Sequence, residues 1–298
     1  MITRIVLFLK FVMKFPAYWR DFVISHQSLR NDVSALEGRG LAALDELEQR
    51  LEARLVRQLM LNRLALRGQN ERASKVEPIA GEFYRIEDKF DALRQLHPSA
   101  FEVWQQLFEA GRLEYERAPQ QNLSVQGHAD AEVFRAFIAP YMYGSILDVG
   151  CGPQALPVYL RGFQLDRVAG LDPLPGAAER RFEFRQGIAE FLPWADSQFD
   201  VVLFATSLDH VLSLEKTLEE VHRVLRPGGK CIVWAGLIPG SAPYRPDIEP
   251  VKAVDEYHLF HLSEETLIAA FASRFELLEG VVHAKMHGFY VFARSVDL

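Results

Sequence analysis

The chain has 298 residues, 49% of them apolar, and a formal net charge of −7, which is length for one large domain or two ordinary ones and enough apolar surface for a sizeable core. The charge is uneven: residues 1–125 carry 18 basic and 17 acidic side chains, whereas residues 126–298 carry 15 and 23. An acidic C-terminal half lacks the clustered Lys and Arg that neutralise phosphates, which argues against nucleic acid as a partner. The two cysteines, Cys151 and Cys231, suggest no disulfide framework and fit a cytoplasmic setting.

Residues 1–20 hold Arg4, Lys10, Lys14 and Arg20 with no acid, among Ile, Val, Leu and Phe. The lysines interrupt the apolar run well short of the roughly 20 residues a membrane-spanning helix needs, and no small-residue cleavage site follows. Two readings stand: a helix packed on its own protein or a partner subunit, or a basic amphipathic helix resting on an anionic membrane surface. Residues 41–66 carry Leu41, Leu44, Leu47, Leu51, Leu55 and Leu59 at spacings of three and four, one stripe of a long helix. A local hairpin, a short bundle or a homodimer through these N-terminal helices fits that stripe equally well. Residues 68–75 are polar and read as a loop.

Further helices are expected between residues 78 and 117, divided at Pro98 and carrying Phe90, Trp104, Phe108 and Tyr115. Residues 118–127 read as a linker. The domain boundary is placed near residue 125, giving a helical N-terminal region (1–125) and a second domain (126–298). In the latter, residues 130–142 repeat apolar positions at helical spacing.

The chain is organised around residues 145–153, SILDVGCGP. Ile146, Leu147 and Val149 suit a buried parallel strand, and Gly150, Cys151, Gly152 and Pro153 end it in a tight turn. A helix is expected over 154–162 with its free N–H groups facing that turn. Alternation then continues: strands near 167–171, 182–186, 200–205 and 230–235, helices near 175–181, 213–225 and 263–273, and two closing apolar runs, 275–282 and 289–293, joined by a turn containing Gly288. The fold class is α/β, a doubly wound, mostly parallel seven-stranded sheet of Rossmann-like type with an all-helical N-terminal region.

The turn Gly150-Cys151-Gly152-Pro153-Gln154-Ala155 with Asp172 some 20 residues on fits a loose dinucleotide fingerprint. An acid at Asp148, two residues before the first glycine, would repel a pyrophosphate and attract a cationic amino group. Here Leu147-Asp148-Val149-Gly150-Cys151-Gly152 resembles the first motif of the class I S-adenosylmethionine-dependent methyltransferases of small-molecule type. Leu171-Asp172-Pro173-Leu174 resembles the acidic motif, 186–200 the segment that flanks adenine, and 218–233 the helix, Pro-Gly-Gly turn and fifth strand. The resemblance covers about residues 127–298 and implies S-adenosylmethionine as cofactor. It implies contacts from Asp148, Gly150, Cys151, Gly152, Asp172, Pro173, Leu174, Ala205 and Thr206. Ile188 stands where the family usually has an acid, so adenine recognition falls to the backbone near Ala189, to apolar walls including Leu174, Ile188 and Phe191, or to Glu190.

Ligands of open sheets bind beyond the carboxyl ends of the strands. That places the chemistry among residues 205–211 and in the 27-residue connection 236–262, which is long enough to be functional. His210 is the first choice of general base and His258 the second, with Asp209 orienting a histidine or acting itself. Asp209, Asp255, His258 and His261 match no strong metal spacing, so no metal is assigned. The resulting expectation is methyl transfer to O or N of a small molecule, a sugar or a lipid-linked glycan. A nicotinamide-dependent oxidoreductase and a catalytically inactive scaffold are the alternatives.

Overall fold

The computed structural model describes residues 84–118, 129–175 and 179–295. The expectations for residues 1–20, 41–66, 68–75 and nearly all of the 118–127 linker lie outside the described residues, as does the middle of the helix expected over 175–181. The described residues fall within one compact unit, Arg63–Leu298.

Seven strands form one sheet: β1 (Ile146–Val149), β2 (Val168–Asp172), β3 (Glu183–Gln186), β4 (Phe199–Ala205), β5 (Leu225–Gly236), β6 (Phe275–His283) and β7 (His287–Arg294). Their order is β3-β2-β1-β4-β5-β7-β6. β1 pairs in parallel with both β2 and β4, so the strand order reverses beside β1, and the chain leaves a crevice at the carboxyl ends of β1 and β4. β7 runs antiparallel between β5 and β6.

Every residue of β1 and β2 is buried, as expected of parallel strands covered on both faces. Alternation of side chains sorts the two faces. Leu147, Val149, Ala169, Leu171, Val202, Phe204 and Val233 join one core cluster with Leu93, Phe101 and Trp104. Those last three come from α1 (Ile86–Leu96) and α2 (Pro98–Arg117), where Pro98 starts a helix at a position whose N–H needs no partner. Two helices that the sequence placed on the far side of a boundary near 125 therefore share the core of the sheet. On the opposite face α3 (Ala129–Ile138) packs Phe134 against Tyr159, Trp234 and Phe289, with ring centroids 5.3–5.7 Å apart. α4 (Leu214–Val224) and α5 (Glu264–Phe271) return to the first face. Both are capped by a serine, Ser213 and Ser263, whose side chains accept N–H bonds of the first turn.

Two expectations are corrected. No α-helix forms over 154–162; the only regular turn there is a short 3-10 turn, Val158–Leu160. Pro157 lacks the N–H that would bond back to residue 153 and keeps Leu156 out of helical backbone, so the helix cannot start. The hairpin turn is carried by Ala284 and Lys285, both at positive φ (51° and 63°), and not by Gly288. Gly288 lies within β7, where a Cβ would sit 2.3 Å from the Tyr290 ring.

Candidate active site

The first turn builds the floor of the crevice. Gly150 and Gly152 hold φ of 73° and 72°, a region closed to most side chains, and the N–H groups of Gly150 and Cys151 donate to the Leu171 carbonyl at 2.8 and 3.1 Å. β1 and β2 thus remain locked one step beyond their ladder. With no helix to follow, the loop is held by Arg180, whose guanidinium donates to the carbonyls of Gly152 (2.6 Å) and Gln154 (2.7 Å). Asp172 closes the same turn: one carboxylate oxygen accepts from Gly152 N at 2.8 Å, the other from Leu174 N at 2.9 Å. Burial pushes its carboxyl up to about 6 against the pull of those N–H groups and of Arg180.

A cleft enclosing about 1040 Å³ of empty space, its open mouth included, lies above this floor. Gly150, Gly152, Asp172, Pro173 and Leu174 line it from one side, and Ile188, Ala189, Ala205 and Thr206 from another. Thr206 takes positive φ (58°) as β4 ends, and its N–H donates to the Trp234 carbonyl at 2.8 Å.

Asp148 and Cys151 do not line the cleft. Asp148 is fully buried on the α3 face; Oδ2 accepts from the Tyr159 hydroxyl at 2.9 Å and Oδ1 has no protein partner. Burial, chiefly, raises its carboxyl to about 7, and the negative charge of Asp172 adds to the rise. Cys151 lies behind the turn and burial pushes its thiol well up, so it is a packing residue and not a nucleophile. Glu190 borders the cleft, but its Oε1 accepts from Leu212 N (2.7 Å) and Ser213 N (3.1 Å). A buried carboxylate needs donors, and this one spends that oxygen on fixing the start of α4 instead of reaching for a base. The Ile188 N–H meets the Tyr84 hydroxyl at 3.3 Å, and that hydroxyl donates to the Phe191 carbonyl at 2.8 Å.

Sequence reasoning missed the opposite wall. Trp104, Leu107, Phe108, Arg112 and Tyr115 of α2 line the cleft. Their signal was present: positions 104, 108, 112 and 115 share one helical face. The Trp104 and Phe108 rings stack at 5.4 Å, and the Trp104 indole N–H donates to the His210 carbonyl at 2.8 Å. Burial raises the Tyr115 hydroxyl to about 12, helped by the charges of Asp172 and Asp209.

At the far end the structure gathers the three side chains proposed from sequence for catalysis. His210 belongs to a 3-10 turn, Leu208–His210, directly after β4, and His258 comes from the long connection after β5. Their rings lie 4.4 Å apart. His258 Nδ1 meets both carboxylate oxygens of Asp255 at 2.9 Å, and its Nε2 stands 3.8 Å from Asp209 Oδ2. His261 Nε2 reaches Asp255 Oδ2 at 3.3 Å. Of these, His210 opens onto the cleft, beside Tyr257. Its ring is exposed to the cleft yet enclosed by protein mass. That desolvation lowers its pKa, the Asp209 charge opposes it, and the neighbouring His258 lowers it further. Of the other loop residues, Tyr244 stacks on Phe260 at 4.5 Å and Arg245 pairs with Asp247 on the surface.

A sheet of this order, a glycine turn closed by an acid on the second strand and a cleft at the switch point define a doubly wound α/β domain with its ligand crevice at the carboxyl ends of the strands. Residues 147–233 match the family model described as a methyltransferase domain. That match favours a methyltransferase over the nicotinamide-dependent oxidoreductase. The chain is 43% identical over 74 residues to the protein YafE of Escherichia coli K12, covering 24% of this chain and 36% of YafE. It is 35% identical over 80 residues to the ubiquinone/menaquinone biosynthesis C-methyltransferase UbiE of Klebsiella pneumoniae, covering 27% and 29%. A solved structure, the 1,6-didemethyltoxoflavin-N1-methyltransferase of Burkholderia thailandensis, aligns with a TM-score of 0.47 at 16% identity, covering 76% of this chain and 97% of that one. The chain spans about a third of the length of the curated relatives YafE and UbiE. Among the described residues no helix is long and apolar enough to cross a membrane.

Proposed function

We propose that the protein transfers a methyl group from S-adenosylmethionine to an oxygen or nitrogen of a small molecule. The observation that carries this is one continuous cleft with the glycine turn and Asp172 at one end and His210 at the other. The residues present fit the cofactor. The bare backbone at Gly150 and Gly152 admits a ligand against the main chain, each Asp172 oxygen keeps a lone pair beyond its single N–H bond, and Leu174 and Ile188 offer apolar walls. Bound there, S-adenosylmethionine supplies a methyl group already activated by its sulfonium charge.

The chain's own residues then have three tasks. Asp172 accepts from the ribose hydroxyls, and Asp148, beneath the turn, adds negative potential toward the amino-acid end once it ionises above about pH 7. Trp104, Phe108 and Tyr115 cover the cleft and exclude water, so that positioning contributes most of the rate. His210, its pKa lowered by desolvation, takes the proton of an acceptor hydroxyl or ammonium, with Asp209 and His258 adjusting its basicity. The acidic domain suits a neutral or cationic acceptor; a sugar or lipid-linked glycan rests on the sequence resemblance alone. Peripheral membrane contact through residues 1–20 and a homodimer through the N-terminal helices are proposals about residues outside those described.

Calorimetric titration with S-adenosylhomocysteine tests the reading directly. Saturable binding that Asp172→Ala abolishes is expected, together with methylated products in a mass-spectrometric screen of extracts. No binding by the wild type would leave a scaffold with a vestigial site.

A further inference from the structure

The cluster at the acceptor end has more order than a general base requires. Asp209 and His210 come from the turn after β4, His258 and Asp255 from the connection after β5. One ligand atom from each of Asp209, His210 and His258 lies within 4.8 Å of the other two. Side chains bonded to a single ion at about 2.0–2.2 Å stand at most about 4.4 Å apart, so the three need only a small inward rotation to share one.

We propose that Asp209, His210 and His258 bind a first-row divalent cation at the acceptor end of the cleft, with Asp255 orienting His258 from behind.

Four features support this assignment over a simple hydrogen-bonded cluster. The His258 Nδ1 is engaged by Asp255 at 2.9 Å, leaving Nε2 as the coordinating atom; a carboxylate behind a ligating imidazole is the usual arrangement that sets tautomer and ring angle. The His210 ring lies 4.4 Å from the His258 ring, centroid to centroid, and borders the cleft, so the two imidazoles face one space. The separation of His258 Nε2 from Asp209 Oδ2, 3.8 Å, exceeds a hydrogen bond but matches two ligands on one ion. Finally, Asp255 already accepts from Tyr257 N and His258 N at 2.8 Å each, and His261 Nε2 stands 3.3 Å from its Oδ2. These bonds assign it an outer role and disfavour the neighbouring group Asp255, His258 and His261 as the ligand set.

Two imidazoles and one carboxylate suit zinc, manganese, iron, cobalt or nickel and not the all-oxygen preference of calcium or magnesium. Three protein ligands leave a position open, and His210 places that position on the cleft. An acceptor hydroxyl bound there would lose its proton at lower pH, because the cation replaces His210 as the group that acidifies it. This consequence rests on the methyltransferase reading; the binding of the cation does not.

The test is a titration of tag-free, chelator-treated full-length protein with cobalt(II) chloride, followed by visible absorption, with zinc chloride as competitor. One equivalent of cobalt giving saturable d–d bands that zinc displaces is expected. His258→Ala and Asp209→Asn should each weaken binding at least about 100-fold, Asp255→Asn by about 10–100-fold, and Asp172→Ala should leave it intact. Binding of S-adenosylhomocysteine by the His258 and Asp209 variants shows that they are folded. A wild type without saturable bands, or a His258→Ala variant that titrates like it, overturns the proposal. Because S-adenosylhomocysteine is titrated separately, loss of cobalt binding alone refutes the cation site and loss of nucleoside binding alone refutes the methyltransferase reading.

Discussion

The Ser207 side chain occupies the space that a side chain on Gly150 would need: a Cβ built on Gly150 lies 2.3 Å from Ser207 Cβ, and the Ser207 hydroxyl donates to the Val149 carbonyl at 2.6 Å. The ends of β1 and β4 are therefore joined through a glycine and a serine at the point where the sheet reverses. Gly150→Ala meets two penalties, about 1–2 kcal/mol for a Cβ at positive φ and about 1–3 kcal/mol for displacing Ser207. At about 2–4 °C per kcal/mol for a unit of this size, thermal unfolding should show a clear drop, and S-adenosylhomocysteine affinity should fall with it. The double variant Gly150→Ala/Ser207→Gly should recover the steric share only; full recovery would mean that backbone conformation contributes nothing.

Asp148 makes stability depend on pH. Its folded-state carboxyl, raised to about 7 first by burial, holds a proton more tightly than in the unfolded chain. The native state thus binds more protons between about pH 4 and 7, and stability falls as pH rises through that window, then levels off. Asp172, raised to about 6, adds in the same direction. Urea unfolding should find Asp148→Asn with a flatter slope between pH 5 and 8 and greater stability at pH 8, by an amount on the order of a few kcal/mol. Equal slopes in the two proteins would show that Asp148 titrates normally.

Trp104 couples the α2 wall to the His210 backbone. Trp104→Phe removes the indole donor while keeping an aromatic ring, so the His210 carbonyl loses its 2.8 Å bond. A loss of about 0.5–1.5 kcal/mol is expected, together with a larger effect on acceptor KM than on S-adenosylhomocysteine affinity. A cofactor affinity that falls more steeply than acceptor KM rises would place Trp104 at the other end of the cleft.

Glu190 is expected to act on stability more than on nucleoside recognition. Glu190→Ala leaves the Leu212 and Ser213 N–H groups without their carboxylate, at about 1–3 kcal/mol per buried unpaired group. Glu190→Gln retains an acceptor oxygen and should be milder. A preserved melting temperature with lost discrimination between adenosine and guanosine nucleosides would return Glu190 to the role the sequence offered it.

The proposed general base, His210, should set the acid limb of the pH profile in the cation-free enzyme. Desolvation lowers its pKa, so turnover should persist below the pH at which an ordinary histidine protonates and decline only beneath that point. His210→Ala should cost about 10²–10⁴ in kcat with S-adenosylhomocysteine binding preserved. Full turnover across the pH range would remove His210 from the chemistry.

What the sequence by itself determined is local. The apolar run 146–149 ending at Gly150, the acid at Asp172 closing the next strand and the continuous apolar runs within β4 and β5 follow from neighbours in the chain, because strand burial and turn geometry are written in adjacent residues. The motif order then carried the sheet class and the ends of its cleft. The missing helix after the glycine turn was legible too, in Pro157, whose veto outweighs the apolar periodicity around it. Only the tertiary structure decided that α2 forms a wall of the cleft, that Asp148 faces Tyr159 beneath the turn, that Glu190 holds the start of α4 and that His258 comes to rest 4.4 Å from His210. Each of these depends on where a helix or a long connection packs after the sheet has formed, and that choice is made by the burial of surfaces distant in the chain, which no short window of residues encodes.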